Sequence, residues 1–372
     1  VADGTDARFM ARALQLARRG LNTTDPNPRV GCVIVRDGQV VGEGWHERAG
    51  EAHAERHALA AAGAAAAGAT VYLTLEPCAH QGRTPPCAPA LIEAGVARVV
   101  CAMKDPNPSV AGRSVQALKA AGIKVETGVG GAAAAALNRG FIQRMVHGRP
   151  FVRVKLAASL DGGTALANGT SQWITGAAAR RDVQRWRARA SAVLTGIGTV
   201  LADDPSLNAR PPDAAECAQP VRVILDSALR LPPQARTLGL PGEVLVFTHS
   251  DDAEKVAALA ARGATVISWP GSGELSLPDV FAELGRREVN EVWVEAGARL
   301  SGALLANRLA DELVIYLAPQ LLGSAARGMF ELGELTDLNQ RIPLRWQAMR
   351  RVGNDLRLHL RPVRNDHADD EG

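Results

Sequence analysis

The reading turns on three pieces: His53-Ala54-Glu55-Arg56-His57, then Thr74-Leu75-Glu76-Pro77-Cys78, then Pro85-Pro86-Cys87. One histidine and two cysteines can hold a zinc ion with its fourth position open to water. Glu55, two residues after the histidine, can reach that water without being a ligand. Working outward, His53 opens an Ala-rich segment with helical character over 52–67. Pro77-Cys78 follows the apolar strand Thr70-Val71-Tyr72-Leu73-Thr74, and Cys87 starts a second helical segment that runs to 94. Each ligand therefore falls at or near a helix N-terminus, where the helix dipole favours a thiolate. Strand, ligand and helix in alternation point to an α/β fold.

Taken singly these pieces are weak. A His-x-Glu on a helix is usually plain surface, and two cysteines are usually small buried hydrophobes. Their order and context make the set specific, and together they form the His/Cys/Cys-plus-Glu constellation of zinc-dependent nucleobase deaminases. A zincin protease is excluded: His53 and His57 have the i, i+4 spacing, but Ala54 stands where that motif needs Glu, so His57 reads as a helix-face residue. A structural zinc module would need a fourth protein ligand. Cys101 and His80 are the nearby candidates, and neither makes a regular ribbon spacing.

Length and composition set the bounds. The 372 residues suggest two or three domains. A net charge of +3 gives no global argument for nucleic acid or membrane, although Arg180 to Arg189 form a local basic cluster. Five cysteines, Cys32, Cys78, Cys87, Cys101 and Cys217, are odd and sparse. They make no disulfide framework, and a reducing, cytoplasmic setting is expected. No uninterrupted run of 18 apolar residues occurs, and the N-terminus shows no apolar signal core. The polar, acidic stretch 364–372 is expected to be disordered.

Periodicity predicts a helix over 6–19 and a hairpin of strands 30–35 and 39–45 around Asp37-Gly38. The alanine run Ala58 to Ala69 reads as helix. Next come helix 87–94, strand 97–103, helix 113–121 and strand 123–127. A domain boundary is expected near Gly148-Arg149-Pro150, giving domains 1–148 and 149–363. Strands are expected in the second at 151–157, 191–195, 221–226, 243–248, 264–268, 291–295, 312–318 and 356–361. Helices are expected at 176–190, 252–262, 278–286 and 298–307, with a loop over 203–219. No Gly-x-Gly-x-x-Gly follows a strand, which argues against a Rossmann dinucleotide site. Strand 291–295 runs instead into Gly297 and a helix, where small residues let backbone N–H groups approach a phosphate.

With these pieces in place, the chain resembles the bifunctional deaminase–reductases of riboflavin biosynthesis over residues 6–362. The first half carries Asp25-Pro26-Asn27-Pro28-Arg29-Val30-Gly31, Gly44-Trp45-His46 and the stretch Thr74 to Cys87. The second carries Lys155-Leu156-Ala157-Ala158-Ser159-Leu160-Asp161-Gly162, Ser171-Gln172-Trp173-Ile174-Thr175, Leu201-Ala202-Asp203-Asp204-Pro205 and Val294-Glu295-Ala296-Gly297. Eight residues separate Cys78 from Cys87, where cytidine and transfer-RNA deaminases usually have two. That insert carries His80 and Arg83, both able to meet a phosphate, so a phosphorylated pyrimidine fits better than a bare nucleoside.

The resemblance implies a cytidine-deaminase-like three-layer domain followed by a dihydrofolate-reductase-like α/β domain. It implies deamination of 2,5-diamino-6-(5-phospho-ribosylamino)pyrimidin-4(3H)-one with zinc on His53, Cys78 and Cys87 and Glu55 as catalytic acid–base. Asn27 and His46 would hold the ring and the ribose. The second domain would then reduce the ribosyl chain of the deaminated product to ribityl with NADPH. By the same resemblance, Ala157, Trp173, Thr199, Asp203 and Ser227 lie along the cofactor, with Gly297, Ala298, Arg299, Leu300, Ser301, Gly302 and Ala303. Ser171, Arg187, Leu207, Arg210 and Glu295 lie along the substrate. Lys155, Asp203 and Glu295 all remain open as the reductase proton donor. A homo-oligomer is implied, without a readable interface. The rival reading is a nucleic-acid or nucleoside deaminase with a non-catalytic second domain, supported by the Arg-rich helix. Against it stand the modest charge and the scarcity of stacking aromatics, two Tyr and six Phe.

Overall fold

Asp37 and Gly38 take positive φ, 52° and 75°, as a tight two-residue hairpin turn requires. They join β1 (Gly31–Arg36) to β2 (Gln39–Trp45) as expected. This computed structural model describes residues 4–78, 86–108, 111–211 and 216–363. The predicted disordered stretch 364–372 lies outside them. The chain divides into two compact units, one of Val1–Pro150 with Glu288–Asn290, the other of Phe151–Arg287 and Glu291–Gly372.

In the first unit the hairpin is followed by α2 (Ala54–Ala62), β3 (Thr70–Leu73), α3 (Cys87–Glu93), β4 (Arg98–Cys101), α4 (Arg113–Ala120) and β5 (Lys124–Thr127). Helix α1 (Gly4–Ala17) precedes it, and α5 (Gly131–Leu137) and α6 (Arg139–His147) close the unit. The sheet order is β2-β1-β3-β4-β5, with β1 antiparallel to both its neighbours and β3, β4 and β5 parallel. Side chains alternate between its two faces. Val33, Val35, Tyr72 and Val100 pack against Phe9, Met10 and Ala13 of α1 and Ala134 of α5. Cys32, Ile34, Val71, Leu73, Val99 and Cys101 pack against Ala54 and Ala58 of α2, Leu91 of α3 and Leu118 of α4. This is the expected three-layer arrangement.

Two departures have local causes. The alanine run is not one helix, because Gly63 takes φ 52° and ends α2; a 3-10 turn, Gly63–Ala66, follows. The helices α5 and α6 lie in a stretch left unassigned from sequence, since Ala132 to Ala136 carry no apolar–polar contrast for periodicity to detect. Gly44 explains how α2 is seated. A Cβ there would collide with the Ala54 carbonyl oxygen and lie 2.6 Å from His57 Cβ, so only glycine lets β2 approach the helix that His53 opens.

The second unit is one nine-stranded sheet, ordered β10-β9-β8-β7-β11-β6-β12-β14-β13. Its elements in chain order are β6 (Phe151–Ser159), α7 (Ala177–Arg189), β7 (Ala192–Gly196), α8 (Ile197–Asp203), β8 (Val221–Leu225), β9 (Val244–Thr248) and α9 (Ala253–Ala260). Then follow β10 (Ala264–Ser268), α10 (Leu277–Arg286), β11 (Glu291–Glu295), α11 (Ala298–Ala306), β12 (Glu312–Ala318), β13 (Leu344–Val352) and β14 (Asp355–Pro362). Strands β10 through β12 in the sheet are parallel, and the β13–β14 hairpin adds an antiparallel edge. Near-continuous apolar runs such as Val244–Phe247 mark strands buried on both faces. Sequence reading missed α8 and β13. Every residue of β13 from Leu344 to Arg351 is exposed, so it lacks the burial alternation that identifies a strand.

Candidate functional site

His53 is the N-cap of α2, and Glu55 falls in the first turn, where only 3% of it is exposed. Cys87 is the first residue of α3, after Pro86 as N-cap. Cys78 follows β3, and its carbonyl accepts from both Cys87 N and Ala88 N at 3.1 Å. These anchors bring Cys78 Sγ to 3.5 Å and Cys87 Sγ to 3.4 Å from His53 Nδ1. All three donor atoms lie within 4.8 Å of one another. A tetrahedral zinc with bonds of about 2.0–2.3 Å needs its nitrogen and sulfur donors about 3.5 Å apart. The donor set and its spacing therefore fit zinc. Among the described residues this is the one cluster of metal-ligating side chains. Cys101, weighed above as a fourth ligand, lies in β4 outside that cluster.

The local electrostatics fit an acid–base site. Burial pushes the Glu55 carboxyl above the ordinary glutamate range. A hydrogen bond from Cys87 holds the Cys78 thiol well down, assisted by His53; the same contact and burial push Cys87 up. His46 Nδ1 lies 3.1 Å from the Ala52 carbonyl, which can only accept, so that nitrogen carries the proton. Burial holds His46 toward its neutral form. Its Nε2 therefore accepts from Asn27 Nδ2 at 3.0 Å, which fixes the orientation of the Asn27 amide. The His46 ring also packs edge-on against His53, 5.3 Å between centroids. Of the two residues expected to hold the ring and the ribose, His46 thus packs on the ligand His53, and Asn27 is joined to His46. His80 and Arg83 lie outside the described residues. Asp105 to Pro108 form a turn, with Asn107 N donating to Asp105 Oδ1 at 2.8 Å. Asn138 was missed: its amide clasps Arg29 N (2.8 Å) and Arg29 O (3.0 Å), bracing the segment that carries Asn27. No sequence pattern marks it.

In the second unit the predicted residues gather at the carboxyl ends of neighbouring parallel strands, where open α/β sheets bind ligands. Ala157 is near the end of β6, Thr199 and Asp203 lie on α8 after β7, Ser227 follows β8, and Gly297 follows β11. Gln172 Nε2 reaches Asp203 Oδ1 at 3.4 Å, which brings the Ser171–Trp173 segment to α8. Trp173 is 69% exposed, with the Arg180 guanidinium 4.5 Å from its ring centre. Gly297 is the N-cap of α11; a Cβ there would point into open space, and no side chain caps the helix. That opening suits a cofactor phosphate on the first-turn N–H groups. The run 297–303 is not uniformly accessible. Ser301 and Gly302 are buried, and a Cβ on Gly302 would collide with the Glu331 carbonyl. Arg299 is exposed and paired with Glu274.

The residues expected along the substrate centre on one ion pair. Arg187 grips Glu295 with two bonds, Nε to Oε1 at 2.6 Å and a terminal nitrogen to Oε2 at 2.9 Å. Its other terminal nitrogen donates to Asn208 O at 3.1 Å, beside buried Leu207. Arg210 is exposed, and its backbone N–H is held by Gln184. Trp293 Nε1 adds a bond to Glu295 at 2.9 Å. Burial works against the Glu295 charge, but Arg187 overrides it and holds the carboxyl down at about 2. Lys155 is directly across from Glu295 in the β6–β11 register. Burial pulls its ammonium below the ordinary lysine range, against the pull of Glu295.

A His/Cys/Cys cluster at helix starts with a buried glutamate beside it has the make-up of a zinc deaminase, and a second unit built on a largely parallel sheet follows it in the chain. Residues 3–103 match the cytidine and deoxycytidylate deaminase zinc-binding region, and residues 150–358 match the RibD C-terminal domain. The riboflavin biosynthesis protein RibD of Escherichia coli K12 is 50% identical over 365 residues, covering 95% of this chain and 99% of that protein. Its Haemophilus influenzae counterpart is 48% identical, covering 96% and 97%. The solved structure of Acinetobacter baumannii RibD, form 1, superposes with a TM-score of 0.91 at 48% identity, covering 97% and 99%. A Thermotoga maritima deaminase/reductase superposes at 0.84 with 34% identity, covering 96% and 99%. The chain belongs to the RibD family, the bifunctional deaminase–reductases of riboflavin biosynthesis, whose two reactions use zinc and NADPH. The reading of the second half as a non-catalytic domain falls with that match. No helix among the described residues is long and apolar enough to cross a membrane.

Proposed function

We propose that residues 1–148 deaminate 2,5-diamino-6-(5-phospho-ribosylamino)pyrimidin-4(3H)-one and that residues 149–363 reduce the ribosyl chain of the product. The observation that carries the first half is His53 Nδ1 at 3.5 and 3.4 Å from two cysteine sulfurs, with Glu55 buried two residues on in the first turn of α2. Zinc on these ligands supplies a water acidified to near neutral pH. Glu55 would accept one proton of the water and hand it to the ring nitrogen, then take the remaining proton from the added hydroxyl and pass it to the departing amino group as ammonia leaves and the carbonyl forms; its raised pKa suits that exchange. Asn27, held by His46, orients the pyrimidine, and His80 and Arg83 meet its phosphate.

In the second half the cofactor held at the strand ends would be NADPH, which would supply the hydride for reduction at C1′ of the ring-opened ribosylimine. The first-turn N–H groups of α11, with Ala157, Trp173, Thr199, Asp203 and Ser227, hold the cofactor. Arg187 and Glu295 shape the substrate side with Ser171, Leu207 and Arg210. Of the three donors left open, Glu295 is held ionised by Arg187, and Asp203 is exposed at the end of α8. Lys155, whose ammonium burial makes a stronger acid than an ordinary lysine, is the proposed donor.

The enzyme works in the cytoplasm on small phosphorylated pyrimidines, not on nucleic acid, and as a homo-oligomer. Association is supported by β13, a nine-residue edge strand with Trp346 61% and Met349 68% exposed. Arg345, Arg350 and Arg351 on β13 complement Glu331, Glu334 and Asp337 in the segment before it, which suits a second copy docking about a two-fold axis.

The test measures ammonia release and NADPH oxidation separately. Cys87→Ser should lose zinc and ammonia release, yet oxidise NADPH when given the deaminated substrate. Dephosphorylated pyrimidine should react roughly 10- to 100-fold more slowly, the worth of a charge-assisted bond. Loss of both activities in folded Cys87→Ser, or equal rates on a transfer-RNA anticodon stem, would overturn the proposal.

A further inference from the structure

Glu76 is a carboxylate in the interior, 3% exposed, two residues ahead of Cys78. Four donors converge on it. Oε1 accepts from Ser114 Oγ at 2.6 Å and Val115 N at 3.3 Å; Oε2 accepts from Gly112 N at 3.0 Å and Asp105 N at 3.2 Å. Three of these belong to the start of α4, whose N-cap is Gly112 at φ 79° and has no side chain to offer. Glu76 supplies, from another segment, the cap that Gly112 lacks, and its charge sits at the favourable end of that helix. The fourth donor is the turn at Asp105. Glu76 N also donates to Met103 O at 2.9 Å.

The consequence falls on Cys78. Strand β3 ends at Leu73, so sheet hydrogen bonding no longer fixes the chain where the sulfur is carried. On one side Cys78 is tied to Cys87 and Ala88 through its carbonyl. On the other, Glu76 is the brace, fastening this segment to the β4–α4 connection and the α4 N-terminus. We infer that Glu76 is a positioning residue of the metal site, setting the place of Cys78 Sγ through a four-donor anchor while touching neither metal nor substrate. The inference rests on the zinc reading above. Glutamine preserves the shape but replaces one oxygen with an NH2; the Ser114 hydroxyl can turn to accept from it, but the backbone N–H of Val115 on one side, or of Gly112 and Asp105 on the other, cannot. The anchor must then break on one side and release the segment.

The experiment follows zinc release to an excess of a chromogenic chelator in the full-length protein under native conditions. Glu76→Gln should release zinc about 10-fold faster or more, the usual scale for groups that orient ligands. Ser114→Ala removes one donor, remote from the metal, and should speed release less but in the same direction. Cobalt(II) in place of zinc should show altered visible bands in Glu76→Gln, reporting changed thiolate geometry. NADPH oxidation should stay at wild-type rate in both variants. Should Glu76→Gln fail to fold, Ser114→Ala alone carries the comparison. Wild-type release rates in whichever variants fold, even with a lower melting temperature, would overturn the inference and leave Glu76 a merely structural cap. Wild-type protein that binds no zinc would overturn the zinc reading itself, and the inference with it.

Discussion

Replacing Arg187 with methionine tests the centre of the proposed reductase site. The substitution keeps an apolar stem and deletes the guanidinium that grips Glu295. Glu295 is 15% exposed on its side chain, so water cannot take over the lost contacts freely. Holding a carboxyl at about 2 against an ordinary 4.5 corresponds to about 3 kcal/mol at neutral pH. Removing one partner of a buried pair costs about 3–5 kcal/mol. Lys155 and the Trp293 N–H still face the carboxylate, so the lower end applies, and a loss of about 3 kcal/mol is expected at pH 7. The pH dependence follows from the direction of the shift. Because the folded pKa is depressed, the pair's stabilisation is fully present above about 4.5 and is lost as pH falls toward 2. The variant lacks that contribution, so the gap between wild type and variant should be widest near neutrality and close between pH 4.5 and 2. Urea unfolding followed by fluorescence reads the second unit well, since Trp186 stacks on Trp293, 5.3 Å between centroids. A loss below about 1 kcal/mol at pH 7, the scale of an exposed pair, would refute the argument. So would a gap that stays constant down to pH 3.

Three further outcomes are expected. Glu55→Gln should keep a full complement of zinc and lose roughly 100-fold or more in ammonia release, the scale of general acid–base groups; near-normal turnover would remove Glu55 from the proton path. Lys155→Met should abolish most NADPH oxidation and spare ammonia release, and a normal rate of reduction would return the donor role to Asp203. Trp346→Glu should convert the oligomer to a smaller species by light scattering without loss of zinc; an unchanged mass would exclude β13 as the interface.

The two sites differ in how far sequence discloses them. The metal site is built from short segments, each announced by its own local chemistry: a histidine at a helix start, a cysteine after a strand, a cysteine after prolines. Those signals survive in one dimension because each ligand's position relative to its own helix or strand is set within a few residues. Glu76 stood inside the quoted Thr74 to Cys87 stretch, yet its partners Asp105, Gly112, Ser114 and Val115 lie about one strand and one helix further on, so its function was invisible until the chain folded. The edge strand β13 escaped for a different reason. Burial alternation is what sequence reading detects, and a strand exposed on both faces has none.

The reductase site is harder in principle. Arg187 and Glu295 are 108 residues apart, and Lys155 meets Glu295 only because β11, late in the chain, inserts between β7 and β6. Periodicity located β6, β7 and β11 correctly as strands, but nothing in periodicity states their order in a sheet. Resemblance named Arg187 and Glu295; register then adds what resemblance left open, by setting Lys155 opposite a carboxylate already claimed by Arg187. In the proposed mechanism that juxtaposition favours Lys155 over Glu295 as donor. A carboxylate held ionised by a bidentate guanidinium is a poor proton donor, while an ammonium destabilised by burial is a good one. The same guanidinium that disqualifies Glu295 also weakens the hold of Glu295 on Lys155, because like charges of Arg187 and Lys155 repel. The acid strength of Lys155 is therefore set partly by Arg187, and Arg187→Met should make Lys155 a weaker acid. The limb of the reductase pH–rate profile that reports the donor should shift to higher pH in that variant, and a shift to lower pH would contradict Lys155 as donor.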